Sequence, residues 1–280
     1  MNPSRETSRA RLLDNLQRLI GDIAAYAAGE KTCQARQAKP HQEVSSMAKS
    51  MPLGHSSGTA PFHRIAKVGS ILSREELQHR GVEPAGGTTE QALGTLSYVF
   101  TYVGPLRYPG TSCGFYFRPK TEETFADGAI ATPFDSGGVK YLRPTDSLDE
   151  RIVYVRRNEL PVPDYREYFA RCLALLYYSP WDYVDGKGPD MAGPIEVRGG
   201  DARRWTFEAR FKGELPLSGS LSAVILPGAV GALLASEVAA WKTAGVVVIY
   251  YPTPDPNEAT SWQFLLDKSV DYVRECVQNA

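Results

Sequence analysis

Apolar residues alternate with polar ones over Trp205-Thr206-Phe207-Glu208-Ala209-Arg210-Phe211, the pattern of a strand with one buried face and one polar face. Near the N-terminus the period changes. Leu12, Leu13, Leu16, Leu19, Ile20, Ile23 and Ala27 follow helical spacing between an Asn2-Pro3 start and a Gly29 stop. This predicts one amphipathic helix over 1–29 whose stripe, through residues 10–28, must dock on the domain, on a second copy or on a partner. From Glu30 to about Ala60 large apolar residues nearly vanish and Gln, Ser, Lys, Pro and Gly dominate. That composition predicts a flexible arm or linker, with the folded body over 61–280.

Within that body the pattern predicts strands at Phe62–Val68, Ser97–Val103, Gly114–Arg118, Ala129–Thr132 and Arg151–Arg156. Ser73-Arg74-Glu75-Glu76 reads as a capping box opening a short helix that stops at Gly81. Asp164 with Glu167 opens another, with Tyr168, Phe169, Cys172, Leu173 and Leu176 as its buried stripe. Ser179–Pro194 reads as a long loop or lid. The Glu208 strand and Leu221–Leu226 look like a hairpin pair. A helix over 228–243, a strand over 246–251 and a last helix capped by Asn257 complete the chain. Short strands with flanking helices predict an α+β class: mixed, largely antiparallel sheets forming a split core, plus the N-terminal amphipathic helix.

Composition narrows the chemistry. A hydrophobic fraction of 42%, a charged fraction of 22% and a net charge of −1 leave no global field to recruit nucleic acid or anionic membrane. A nucleic-acid substrate then needs a local groove. No stretch approaches the uninterrupted apolar length of a membrane span, and Asp14, Arg18 and Asp22 interrupt any signal-like core, so no membrane association is expected. Cys33, Cys113, Cys172 and Cys276 are widely spaced, a usage that fits a reducing cytosol, and His41, His55, His63 and His79 show no metal-ligand spacing.

Several residues are candidates for chemistry. Glu208 stands between a hydroxyl and a guanidinium on a rigid strand, where it either reaches a ligand or forms a solvated pair with Arg210. His63 is a ligand-facing imidazole or an ordinary satisfied histidine. Tyr116, in Gly114-Phe115-Tyr116-Phe117-Arg118, belongs to the core or offers a stacking platform. Asp135-Ser136-Gly137-Gly138 is a plain turn or a small anion nest, and Pro227-Gly228 could offer amides to a phosphate. Cys113 at a turn-to-strand junction, with His63 as base, allows a cysteine hydrolase, although no third orienting group is evident. A non-enzymatic nucleotide-sensing or interaction module is the remaining alternative.

His63 on an early strand, the Ile71-Leu72-Ser73-Arg74-Glu75-Glu76-Leu77 helix start, the Tyr116 strand and Glu208 near the C-terminus together resemble the ADP-ribosyltransferase fold in its His–Tyr–Glu order. The closest likeness is to DarT-type nucleic-acid ADP-ribosyltransferases, over roughly 61–252. The resemblance implies a toxin- or defence-like transferase that moves ADP-ribose from NAD to a macromolecular acceptor, nucleic acid or protein. Glu208 would be the catalytic carboxylate, His63 would hold a ribose or phosphate, Tyr116 would stack on nicotinamide, and Arg64, Arg74 or Arg80 would bind the pyrophosphate. Thr206 stands where arginine-modifying members carry a second glutamate, a departure that weakens protein arginine as the acceptor.

Overall fold

The computed structural model describes residues 3–37, 41–83, 88–195, 205–252 and 261–279. The chain opens with helices α1 (Pro3–Gly29), α2 (Lys31–Gln37) and α3 (His41–Ser50). Strand β1 (Leu53–Ser57), helix α4 (Thr59–Val68), strand β2 (Ser70–Leu72), helices α5 (Arg74–His79) and α6 (Thr88–Leu93) and strand β3 (Tyr98–Val103) follow. Next come β4 (Cys113–Phe117), α7 (Thr121–Thr124), β5 (Ile130–Thr132), α8 (Val139–Leu142), α9 (Leu148–Arg157), β6 (Leu160–Pro161), α10 (Tyr165–Leu176) and α11 (Pro180–Val184). The C-terminal part is β7 (Glu208–Lys212), β8 (Glu214–Pro216), β9 (Leu221–Pro227), α12 (Gly228–Leu233), α13 (Ala235–Thr243), β10 (Val247–Tyr251) and α14 (Ser261–Gln278).

Eight strands form one sheet in the order β10-β9-β4-β1-β3-β7-β5-β6, and β2 with β8 forms a separate ribbon. Among the described residues only β9 and β10 run parallel, joined by the α12–α13 crossover. The expected α+β class with a mixed, mainly antiparallel core is what forms. The expected β7–β9 hairpin does not. β7 pairs with β3 and β5, whereas β9 pairs with β4 and β10.

The sheet is split near its middle. β1 pairs with β4 over its whole length, from Leu53↔Phe117 to Ser57↔Cys113. On its other side it meets β3 only at Leu53↔Val103 and Gly54↔Tyr102. Beyond Gly54 the two strands part, and β3 continues alone along β7. His55 and Ser56 are half-buried despite lying on a central strand, and so are Phe100 and Tyr102 across the gap. Central strands of an eight-stranded sheet are ordinarily closed on both sides, so this partial exposure marks a crevice.

Three expectations are corrected. Phe62–Val68 is helix, not strand: Phe62 and Ala66 are buried one helical turn apart, Pro61 sits in the first turn, and Gly69 ends α4 at φ 77° with its N–H on the Ile65 carbonyl. Arg151–Arg156 is helix as well, because Ser147 and Glu150 form a reciprocal capping box that starts α9. The 30–60 segment is no loose arm. It holds α2, α3 and β1, and it buries Cys33, Arg36, Met47, Ala48, Met51 and Leu53. Small and sulfur-bearing side chains do that packing. Arg36 is tolerated because it bonds the Leu175 carbonyl and pairs with Asp190. Asn257 falls outside the described residues.

The stripe of α1 is spent on its own domain. Leu12, Leu16, Leu19, Ile23 and Ala27 are buried, and α1 packs on α10 and β6. Among the described residues, no helix is long and apolar enough to cross a membrane.

Gly54, at the point where β1 and β3 part, has no room for a side chain. A Cβ there would lie 2.5 Å from Leu106 Cδ2 and 3.0 Å from Tyr116 Cε1. Gly54→Ala is expected to destabilise the fold by about 1–3 kcal/mol in denaturant titration. Part of that loss should be recovered in a Leu106→Ala background, and strict additivity of the two changes would refute the steric account.

Candidate active site

Glu208 begins β7 and pairs with Tyr102 of β3 on one side and Thr132 of β5 on the other. Strand alternation puts Glu208, Tyr102 and Thr132 on one face, together with Arg210 and Phe100 one pair further along. This polar face is not the solvated pair that was one reading of it: Glu208 and Arg210 are both 0% exposed. The turn after β5 covers the carboxyl. Ser136 Oγ donates to Glu208 Oε1 at 2.6 Å and Thr132 Oγ1 reaches the same oxygen at 3.3 Å. Arg210 Nε lies 3.5 Å from Oε1, and Oε2 is buried with no hydrogen-bond partner.

Burial pushes the Glu208 carboxyl up to about 8, opposed by the Arg210 charge and reinforced by Asp135. Asp135 is itself buried and accepts a hydrogen bond from the Tyr108 hydroxyl. Tyr108 stacks on Tyr102, with ring centroids 4.8 Å apart and planes inclined by 26°. Both rings are half-buried, so this tyrosine pair lines the crevice beside the Glu208–Asp135 carboxyl pair.

His55 stands on β1 at the other side of the opening, its register with Phe115 placing it on the opposite face of the sheet from Glu208. Its Nδ1 lies 2.8 Å from the Phe100 carbonyl oxygen. A carbonyl only accepts, so Nδ1 carries the proton. Burial holds the imidazole below its ordinary value and keeps it neutral, which leaves Nε2 as an acceptor. Such a nitrogen suits a hydroxyl donor on a ligand.

The other residues expected at the site lie elsewhere. His63 and Arg64 are on α4, whose Phe62 stacks on Phe115 at 4.2 Å. Phe115 and Tyr116 point to opposite faces of β4, so Tyr116 faces away from that helix. The Tyr116 ring is buried against Tyr272, and its hydroxyl lies 2.5 Å from Ser269 Oγ and 3.2 Å from the Gly104 carbonyl. No face remains to stack on a ligand. β1 and β3 lie between β4 and β7, a separation of about 14 Å across the sheet. Arg74 pairs with Glu90 at 3.4 Å and Arg80 with Glu214 at 3.2 Å. Cys113 is buried, and its thiol is pushed up to about 12 by that burial, a poor nucleophile at neutral pH.

Four residues to which the sequence reading gave no catalytic role stand near Glu208 or the opening: His55, Tyr102, Tyr108 and Asp135. His55 was hidden in the polar 30–60 segment, although Leu53-Gly54-His55 follows the apolar Met51. Asp135 stands out in the sequence only within the Asp135-Ser136-Gly137-Gly138 turn or anion nest.

A concavity of about 1280 Å³ lies among α1, α3, α7 and α10. It includes none of the Glu208 cluster. Its buried charges are already matched: Arg166 Nη2 lies 2.6 Å from Glu122 Oε1 and Arg166 Nη1 donates to the Ala48 carbonyl. Among the described residues, no cluster of His, Cys, Asp and Glu could hold a metal ion.

The raised Glu208 value has a stability consequence. The native carboxyl holds its proton more tightly than the unfolded one, so the contribution of this group is complete below about 4.5 and is lost as pH climbs toward 8. Glu208→Gln does not titrate. It should match the wild type near pH 4 and exceed it by roughly 2–5 kcal/mol at pH 9 in denaturant titrations. Equal stability at both pH values would show that the carboxyl is not held in its acid form.

No protein-family profile matches the chain, and no curated protein matches it. Among solved structures, the chain is similar to DarT from Thermus sp. 2.9 in complex with NAD+, at 11% identity and a TM-score of 0.42, over 72% of this chain and 95% of that one. DarT from the same organism in complex with ADP-ribosylated ssDNA aligns at 10% identity and a TM-score of 0.38, over 72% and 94%. In complex with carba-NAD+ it aligns at 9% identity and 0.39, over 71% and 94%. This is the family that the residue pattern resembles.

Proposed function

We propose that the protein transfers ADP-ribose from NAD to a nucleic-acid acceptor, with Glu208 as the catalytic carboxylate. One observation carries the reading. A buried carboxyl group stands on β7 beside β3, where the β1–β3 ladder opens, next to a half-exposed tyrosine pair, and an imidazole from β1 bonds the Phe100 carbonyl in that opening. Breaking the nicotinamide–ribose bond builds positive charge on the ribose, the kind of charge a carboxylate stabilises in glycoside hydrolysis. The bonding pair leaves with nicotinamide, the acceptor atom attacks the anomeric carbon, and the acceptor's proton passes to the carboxylate.

In this arrangement His55 Nε2 accepts from a ribose hydroxyl, and the Tyr102–Tyr108 pair offers a flat surface to nicotinamide. The unpartnered Oε2 of Glu208 is the atom a second ribose hydroxyl satisfies. Because Glu208 has no exposed surface, the dinucleotide reaches it only when the 133–138 turn shifts. Thr206, in place of a second glutamate, supports a nucleic-acid acceptor over protein arginine. A toxin- or defence-like role follows from an activity that modifies nucleic acid at the expense of NAD.

Adenylate-labelled NAD incubated with single-stranded DNA, RNA and a protein mixture tests this directly. Label should pass to nucleic acid, and Glu208→Gln should lower the rate about 10²- to 10³-fold. In the same assay kcat/KM should rise as pH climbs through about 8, where the free Glu208 ionises. His55→Ala should raise KM for NAD roughly tenfold with a smaller effect on kcat. Undiminished transfer by Glu208→Gln would end the proposal.

A further inference from the structure

The buried charge of Glu208 does not stop at its own strand. Arg210 Nη2 lies 3.1 Å from Glu159 Oε1, just before β6, and Arg11 Nη2 on α1 lies 2.8 Å from the other oxygen, Glu159 Oε2. Glu159 and Arg210 are buried, whereas the Arg11 side chain is 43% exposed. A line of alternating charge therefore runs from the protein surface to the carboxyl at the crevice. We infer that Arg11 and Glu159 act through Arg210 as positioning residues for Glu208, which makes the N-terminal helix a working part of the active site. The catalytic role of Glu208 in this statement rests on the function proposed above; the charge coupling itself does not.

The division of Arg210 between its two partners is what gives the chain leverage. Arg210 Nη2 is committed to Glu159, while its Nε stands 3.5 Å from Glu208, longer than a hydrogen bond. Arg11 draws on Glu159 from outside and so limits how strongly Glu159 holds Arg210. Without Arg11, Glu159 turns its whole charge on Arg210, and ionised Glu208 loses support. Without the Glu159 charge, Arg210 acts on Glu208 alone.

The other groups around the carboxyl are fixed on separate elements. Thr132 of β5, Asp135 and Ser136 of the following turn, and Tyr102 of β3 face Glu208. Tyr98 of β3 lies under the Arg210 guanidinium at 5.8 Å, and Tyr108 reaches Asp135. None of these contacts passes through α1. Arg11 is one of several ties that dock α1, its Nη1 donating to the Arg156 carbonyl at 3.1 Å. Asn15 donates to the Arg156 and Glu159 carbonyls at 3.0 and 2.9 Å, Arg18 donates to the Arg157 carbonyl at 2.7 Å, and the leucine stripe is buried.

A charge role and a docking role differ in the sign of their effects. The pH midpoint of Glu208 is to be read in two ways: from kcat/KM for NAD, and from the infrared band of the protonated carboxyl isolated by difference against Glu208→Gln, which needs no substrate. Arg11→Gln should move the midpoint up by about half a unit, and Glu159→Gln should move it down by a similar amount or more. Asn15→Ala, which removes a tether but no charge, should leave it in place. Opposite shifts confirm the inference. Unchanged midpoints, or shifts of the same sign in Arg11→Gln and Glu159→Gln, overturn it. If the infrared midpoints move as stated while no variant, nor the wild type, consumes NAD, the charge coupling stands and the transferase reading falls.

Discussion

A carboxyl group with no solvent around it, set beside a second carboxyl and opposed by one guanidinium, is the constraint on which this architecture turns. Glu208 and Asp135 cannot both ionise freely at close range in a dry interior, so the site stores a proton where a solvated pair would not. Everything near the pair serves to make that arrangement tolerable. Ser136 and Thr132 supply hydroxyl donors, Tyr108 caps Asp135, and Arg210 supplies the one compensating charge on the strand itself. A structural core would dispense with such a cluster in favour of apolar side chains of similar size. Its place beside an opening in the sheet is what the proposed function builds on.

The opening has its own physical cause. Gly54 lets β1 lie under Leu106 and against Tyr116, and it is the last residue of β1 to pair with β3. β1 then follows β4 while β3 follows β7, so the sheet parts along the line that holds His55 on one side and Phe100 and Tyr102 on the other. The Phe100 carbonyl, freed from the ladder, is taken by the His55 imidazole and sets its tautomer. A backbone group left over by the split thus becomes the group that orients the imidazole.

The reading of individual residues succeeded where a local rule was decisive. The Ser73 cap, which accepts from the Glu76 N–H, the β3, β4 and β5 strands and the stripe of α10 form as expected, whereas the expected Asp164 cap of α10 makes no side-chain hydrogen bond. Errors arose where two local rules competed. Alternation over 151–156 was overruled by the Ser147–Glu150 cap, and Pro61 with Gly69 turned a supposed strand into α4. The 30–60 segment was misread because its burial rests on Ala48, Met47, Met51 and Cys33 and on a paired arginine, which composition counts as arm-like. That error also left His55 outside the candidate residues.

The sequence by itself determined the α+β class, the amphipathic N-terminal helix and the strand that bears Glu208, because periodicity and capping act within a few residues of one another. Strand partners, the split in the sheet and the company of Glu208 depend on pairings between residues up to more than a hundred positions apart. Thr132, Asp135, Glu159 and Arg11 carry no mark in the sequence that they will meet around one β7 carboxyl and its arginine. Only the closing of the sheet decides that, since register and burial, not local preference, choose which side chains share a dry interior.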